Sequence, residues 1–155
     1  MVKEYAVGFV FTPDLEKILL IHKNRPAWQA GKINGIGGKR EPGETPVQCI
    51  ARETQEETGL IIPETAWILL GSMLSDLAQV HFFGTIFGGD PDDAQTQTDE
   101  EIEWIMSQEL PKVCIPNLRW IIPFALEKLE KPSEIYTLGE FLVHYLTDPS
   151  TEQTV

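Results

Sequence analysis

The chain has 155 residues, 42% of them hydrophobic, which suits one domain with its own core. Twelve Lys and Arg stand against 24 Asp and Glu, a formal charge of −12. That balance argues against binding a nucleic-acid polymer, and free nucleotides would be repelled too unless a cation stood between them. The plainer meaning of the surplus acid is solubility. No stretch approaches the ~20 consecutive apolar residues that cross a bilayer, and the opening Met-Val-Lys-Glu-Tyr lacks the layout of a secretion signal. The expectation is a cytoplasmic chain with reduced thiols at Cys49 and Cys114, whose spacing is neither metal-type nor redox-type.

In chain order, residues 3–12 are apolar and β-prone, Thr12-Pro13-Asp14 has turn chemistry, and Lys17–His22 is a second apolar run, so the two read as a hairpin. Residues 24–44 are rich in Gly, Pro and Asn and read as a long, functional loop. Thr45 opens a helix, with Pro46 at its first position, Gln48 completing a Thr-x-x-Gln capping box and Gly59 as its stop. Residues 66–74 and 79–87 read as strands, Asp90–Glu101 as an exposed acidic loop, and Ile102–Met106 as a short strand. Pro116 begins a helix through Leu129, with Trp120, Ile121, Phe124 and Leu129 available for burial. A weak pattern over Ile135–Leu146 follows, and the last eight residues read as a frayed tail. One domain over 1–147 and a tail over 148–155 are expected, built as an α/β sandwich.

The informative segment is Gly38 to Leu60, GKREPGETPVQCIARETQEETGL. With Glu53 at zero on a helical wheel, Glu56 falls at about −60° and Glu57 at about +40°. Val47, Ile50, Ala51 and Thr54 take another flank, which can pack on a sheet while the acid stripe faces a cleft. Each like-charged i,i+3 or i,i+4 pair costs ~0.2–0.5 kcal/mol, and the stripe sits towards the helix C-terminus, where the macrodipole disfavours anions. Arg52 offsets only part of this. The pattern suits a bound hard cation such as Mg²⁺, which takes oxygen ligands; alone it also suits a solvated acidic face. Gly37 and Gly38 allow close backbone approach, and Glu44 lies where the helix dipole favours an anion.

These residues match the Nudix signature, G-x5-E-x7-R-E-U-x-E-E-x-G-U with U a bulky aliphatic, at Gly38, Glu44, Arg52, Glu53, Glu56, Glu57, Gly59 and Leu60. The one departure is Thr54 in a U position. The resemblance implies an α/β/α sandwich with a central mixed β-sheet and a Mg²⁺-dependent hydrolase, Mn²⁺ being an alternative metal. It implies Glu56 and Glu57 as principal metal ligands, Glu53 as ligand or general base, the Gly37 carbonyl as a further ligand, Arg52 orienting a box glutamate, and Glu44 holding the loop or activating water. Glu100, with Glu101 close behind, is the candidate fourth carboxylate, the other reading being a solvated loop acid.

Gly31-Lys32-Ile33-Asn34-Gly35-Ile36-Gly37-Gly38-Lys39 also resembles the base-side loop of the 8-oxo-dGTP diphosphatase branch, which implies Asn34 as a purine ligand. Val80-His81-Phe82-Phe83 resembles that branch's pocket strand, implying a substrate contact at Phe83; an ordinary half-buried strand is the other reading. Where the branch carries two aspartates before its last helix, this chain has Asn117 and Leu118. Asn117 keeps one donor and one acceptor for a base, or caps the helix; Leu118 keeps neither. Lys23, Arg25 and Lys32 read as phosphate clamps or as surface charge. Trp28 reads as a base-stacking residue or as a cover for the core edge. The expected activity is cleavage of a nucleoside triphosphate, such as one with an oxidised purine, to the monophosphate and pyrophosphate. The alternatives are a hydrolase of nucleotide sugars or dinucleotides and a non-catalytic nucleotide-binding module. The expected partner is a small nucleotide, with no nucleic-acid polymer and no membrane, acting on a monomer or homodimer.

Overall fold

A computed structural model of the chain describes residues 2–130 and 137–146. Its centre is the strand β1 (Lys3–Phe11), whose apolar residues are divided between two buried faces. Val10 and Phe11 pair antiparallel with Leu19 and Ile18 of β2 (Lys17–His22), as the hairpin pattern predicts. The other half, Tyr5–Gly8, pairs with β4 (Ile36–Lys39), while β3 (Ile33–Asn34) joins β2. On its other edge β1 pairs in parallel with the whole of β6 (Ala78–Ile86), followed by β5 (Ile68–Leu74) and β8 (Phe141–His144). β7 (Ile102–Met106) closes the far side on β2. The sheet is therefore mixed.

Two helices cover its faces. α1 (Pro46–Thr58) packs Ile50 and Cys49 onto Ala6, Val10, Leu19, Ile21 and Phe83. α2 (Leu118–Leu129) packs Leu118, Ile121, Ile122 and Ala125 onto Phe9, Phe11, Leu20 and Phe82. The result is an α/β/α sandwich with a core on each side of the sheet. α1 starts and stops where its caps dictate: the Thr45 hydroxyl accepts from the Gln48 N–H, the Gln48 side chain accepts from the Thr45 N–H, and Gly59 closes the helix at φ 78°. Thr54, the odd residue of the signature, is fully buried and donates its hydroxyl to the Ile50 carbonyl at 2.7 Å. Its polar atom is thereby satisfied within the helix.

Three expectations change. The 24–44 loop is interrupted by β3 and β4, because Gly35 to Gly38 run as extended chain beside β1. Gly37 faces Val7 so closely that an added Cβ would lie 2.1 Å from the Ala6 carbonyl oxygen. Gly37→Ala is therefore expected to cost about 2–3 kcal/mol by forcing β4 off β1. A thermal melt within a degree of the wild type would show that the strand yields more easily. Secondly, the acidic loop contains a 3-10 turn at Pro91–Asp93, and its Glu100 is buried rather than exposed. Thirdly, α2 begins at Leu118, two residues after Pro116, and Asn117 makes no side-chain capping bond. Of the weak pattern over 135–146, β8 is the ordered strand; residues 135 and 136 and the 148–155 tail lie outside the described residues. Among the described residues no helix is long and apolar enough to cross a membrane.

Candidate active site

The acid stripe of α1 lies beside β4, as the helical wheel requires. Arg52 is its hub. Its Nε and Nη2 donate to the two Glu44 carboxylate oxygens at 2.7 and 3.0 Å, and its Nη1 donates to Glu53 at 2.9 Å and Glu56 at 3.2 Å. A third direction is taken by the Lys39 carbonyl at 3.1 Å, which ties the end of β4 to the helix. This fork holds the Glu44 carboxyl down at about 2. Glu44 is thus fixed as an anion that bridges loop and helix. Besides Arg52, it accepts from the Glu41 N–H at 3.1 Å, which holds the loop against the helix.

Glu57 is 7% exposed and accepts a hydrogen bond from the Gly37 N–H at 3.1 Å. Burial, then the charge of Glu53, pushes its carboxyl up to about 8. Burial likewise raises Glu53, against the pull of Arg52. One buried and one half-buried carboxyl, both harder to ionise than usual, describe a cluster short of positive charge. Cys49, on the same side, has a fully buried thiol pushed up to about 12 by burial; it is a packing residue.

Glu100 is 6% exposed and lies on the β6–β7 connection, near enough for its charge to oppose that of Glu57. It accepts from Lys23 Nζ at 3.0 Å and from the backbone N–H groups of Asn24 and Arg25. Burial opposes its charge, but the Asn24 amide and the Lys23 ammonium outweigh it and hold its carboxyl below the usual range. Arg25 pairs with Asp99 and approaches Glu100 at 3.8 Å. The donor set is all hard oxygen, matching Mg²⁺ or Mn²⁺, and the Glu53–Glu57 pair lacks the charge such an ion brings. Among the described residues no three acidic, His or Cys side chains converge tightly enough to ligate one ion. Arg52 draws Glu53 and Glu56 towards itself instead, so an ion has to compete with Arg52 for them.

From Gly37 and Gly38 a cleft of about 870 Å³ runs across the α2 face of the sheet, a volume within the usual range for ligand sites. It brings together Lys23, Arg25, Trp28, Asn34 and Asn117 from the sequence-predicted set. Asn34 and Asn117 come near each other because Ile33 bridges in parallel to Cys114, with the Ile115 N–H donating to the Ile33 carbonyl. Two expected residues are elsewhere. Phe83 points to the α1 core, and its neighbour Phe82 lines the cleft, since successive strand residues face opposite sides. Lys32 is exposed and outside the cleft lining; the chain reverses between Lys23 and Lys32, turning it away.

Other lining residues escaped the sequence. Gln29 accepts a hydrogen bond from the Asn34 amide at 3.0 Å, and the Gly35 N–H donates to Asn34 Oδ1 at 2.7 Å, so the Asn34 carboxamide is fixed in one orientation. Asn117 Oδ1 is buried and accepts from none of the described residues, while its Nδ2 contacts the Met73 sulfur at 3.5 Å. Tyr145 and Leu146 reach the cleft from beyond β8. Nothing local in the sequence marked Gln29 or Tyr145.

The Nudix domain family model matches residues 2–122. A Bacillus subtilis (strain 168) protein named "Putative 8-oxo-dGTP diphosphatase" is 32% identical over 118 residues, 76% of this chain and 75% of that protein. The 8-oxo-dGTP diphosphatase of Escherichia coli (strain K12) is 40% identical over 57 residues, 37% of this chain and 43% of that one, so the match spans under half its length. Among solved structures, the Nudix domain of Shewanella oneidensis NrtR complexed with ADP ribose superposes with a TM-score of 0.68 at 17% identity, covering 83% of this chain and 89% of that one. This chain belongs to the Nudix family.

Proposed function

We propose that this protein is a Mg²⁺-dependent pyrophosphohydrolase that converts a purine nucleoside triphosphate to the monophosphate and pyrophosphate. The supporting observation is continuity: one cleft joins the Gly37–Gly38 edge of the carboxylate cluster to a pocket with an aromatic side chain, Trp28, and two carboxamides, Asn34 and Asn117. Kinship with 8-oxo-dGTP diphosphatases supports the same substrate class. Leu118 is fully buried in the α2 core and offers a base nothing, so recognition of an oxidised purine falls to Asn34 and Asn117.

Glu56, Glu57 and the Gly37 carbonyl would hold Mg²⁺ or Mn²⁺, with Glu100 as a further ligand and Glu53 as ligand or general base. Bound there, the metal would neutralise phosphate oxygens and acidify a water. As general base, Glu53 would take the proton of the water that attacks phosphorus. The new P–O bond forms as the bridging P–O bond breaks, and pyrophosphate leaves with the electron pair. Lys23 and Arg25 line the same cleft and would steady the phosphate chain. The buried, unpaired thiols of Cys49 and Cys114 suit a reducing cytoplasm.

Incubation with Mg²⁺ and a nucleotide panel, resolving pyrophosphate from phosphate, tests this. Pyrophosphate from triphosphates is expected, its release abolished by EDTA and restored by Mg²⁺. Turnover confined to nucleotide sugars or dinucleotides would reassign the substrate. Tight nucleotide binding without turnover would make the chain a binding module.

A further inference from the structure

The family match ends at residue 122, but the cleft does not. Its rim is completed by Tyr145 and Leu146, the two residues that follow β8. Two fastenings hold β8 in place. One is its parallel ladder with Gly71–Leu74 of β5, extended when the Tyr145 N–H donates to the Leu74 carbonyl at 2.7 Å. The other is Phe141, whose ring meets Trp120 and Phe124 edge-on at 5.0 and 5.2 Å and leans on the cleft-lining Phe82 at 5.8 Å. Gly71 makes the room, for a Cβ there would lie 2.4 Å from the Phe141 ring. Tyr145 is thus set by the same aromatic cluster that supports the cleft floor.

The rim is apolar and open. Trp28 is 45% exposed, Tyr145 41% and Leu146 86%. Single exposed apolar residues are ordinary, whereas three bulky ones bordering one cleft form a patch of the kind that ligands cover. Groups of this type offer a ring face and a branched aliphatic, which suit a flat base better than the hydroxyls of a second sugar.

We infer that Tyr145 and Leu146 are specificity-determining residues, which pack with Trp28 against the base and favour substrates bearing one over bare polyphosphates. The inference rests on the nucleotide reading above and adds the base-gripping segment that lies outside the family-matched region. The test uses the full chain with Mg²⁺, comparing wild type, the Tyr145→Ala/Leu146→Ala double variant and Tyr145→Phe. Calorimetry with GMP is expected to show at least about tenfold weaker binding in the double variant, with most of it recovered by Tyr145→Phe. With dGTP the loss is expected in KM rather than kcat, and it should exceed the loss with inorganic tripolyphosphate several-fold. Unchanged GMP affinity, or equal losses on dGTP and tripolyphosphate, would overturn the inference. If the wild type binds GMP yet hydrolyses no triphosphate, the hydrolase reading falls while the calorimetric comparison still decides the rim. If the wild type does not bind GMP, both fall.

Discussion

Glu56→Gln is expected to lower turnover at least about 100-fold while leaving the melting temperature near that of the wild type. Glu56 is the most exposed of the three box carboxylates, and its one partner among the described residues is Arg52, at 3.2 Å. A solvent-facing pair of this kind contributes ~0.3–0.5 kcal/mol, so its loss scarcely touches stability, and removing one charge from the stripe relieves repulsion. Its chemical job is another matter. A neutral amide is a poor ligand for a hard divalent ion, and the half-buried Glu53 and buried Glu57 already resist ionising together. Steady-state rates at saturating Mg²⁺ and a thermal melt decide it. Near-normal turnover in the variant would remove Glu56 from the ligand set.

Arg52→Ala is expected to damage stability and activity together, by about 3 kcal/mol in the first and beyond 100-fold in the second. Glu44 and Glu53 are largely buried and lose their main counter-charge, which is the situation in which breaking an ion pair costs most. Arg52→Lys should rescue little, because one ammonium cannot reproduce a fork that serves Glu44, Glu53, Glu56 and the Lys39 carbonyl at once. Denaturant midpoints measure the stability part. If orphaned Glu44 is the cause, the cost of Arg52→Ala shrinks when Glu44→Gln is added. Equal costs in both backgrounds would place the cause elsewhere.

These residues were legible in the sequence because their information is local. The caps at Thr45, Gln48 and Gly59 and the spacing of Glu53, Glu56 and Glu57 fix a helix and its acid edge without reference to the rest of the chain. What was illegible depends on distant contacts. Glu100 stands in a run that reads as solvated loop, and its burial comes from Lys23, Asn24 and Arg25, some 75 residues away in sequence. Phe82 and Phe83 are chemically alike on a strand buried on both faces, so no alternation says which one meets the cleft. β8 is four residues long and has no turn chemistry of its own; β5 and the Phe141 cluster give it its place. Lys32 and Lys23 read alike as cations flanking a loop, and only the fold separates them.

The parallel union of β1 with β6 also has a bearing on biosynthesis. β1 ends at Phe11, and its longest partner is complete only at Ile86, about 75 residues later. At a synthesis pace of roughly 5–20 residues per second, one whole edge of an apolar, aggregation-prone strand waits about 4–15 seconds for its mate, while β2 and β4 pair only the opposite edge. Slower cooling of culture temperature cannot shorten that interval, but holdase chaperones can screen it. Recombinant yield should therefore respond more to chaperone supply than to promoter strength.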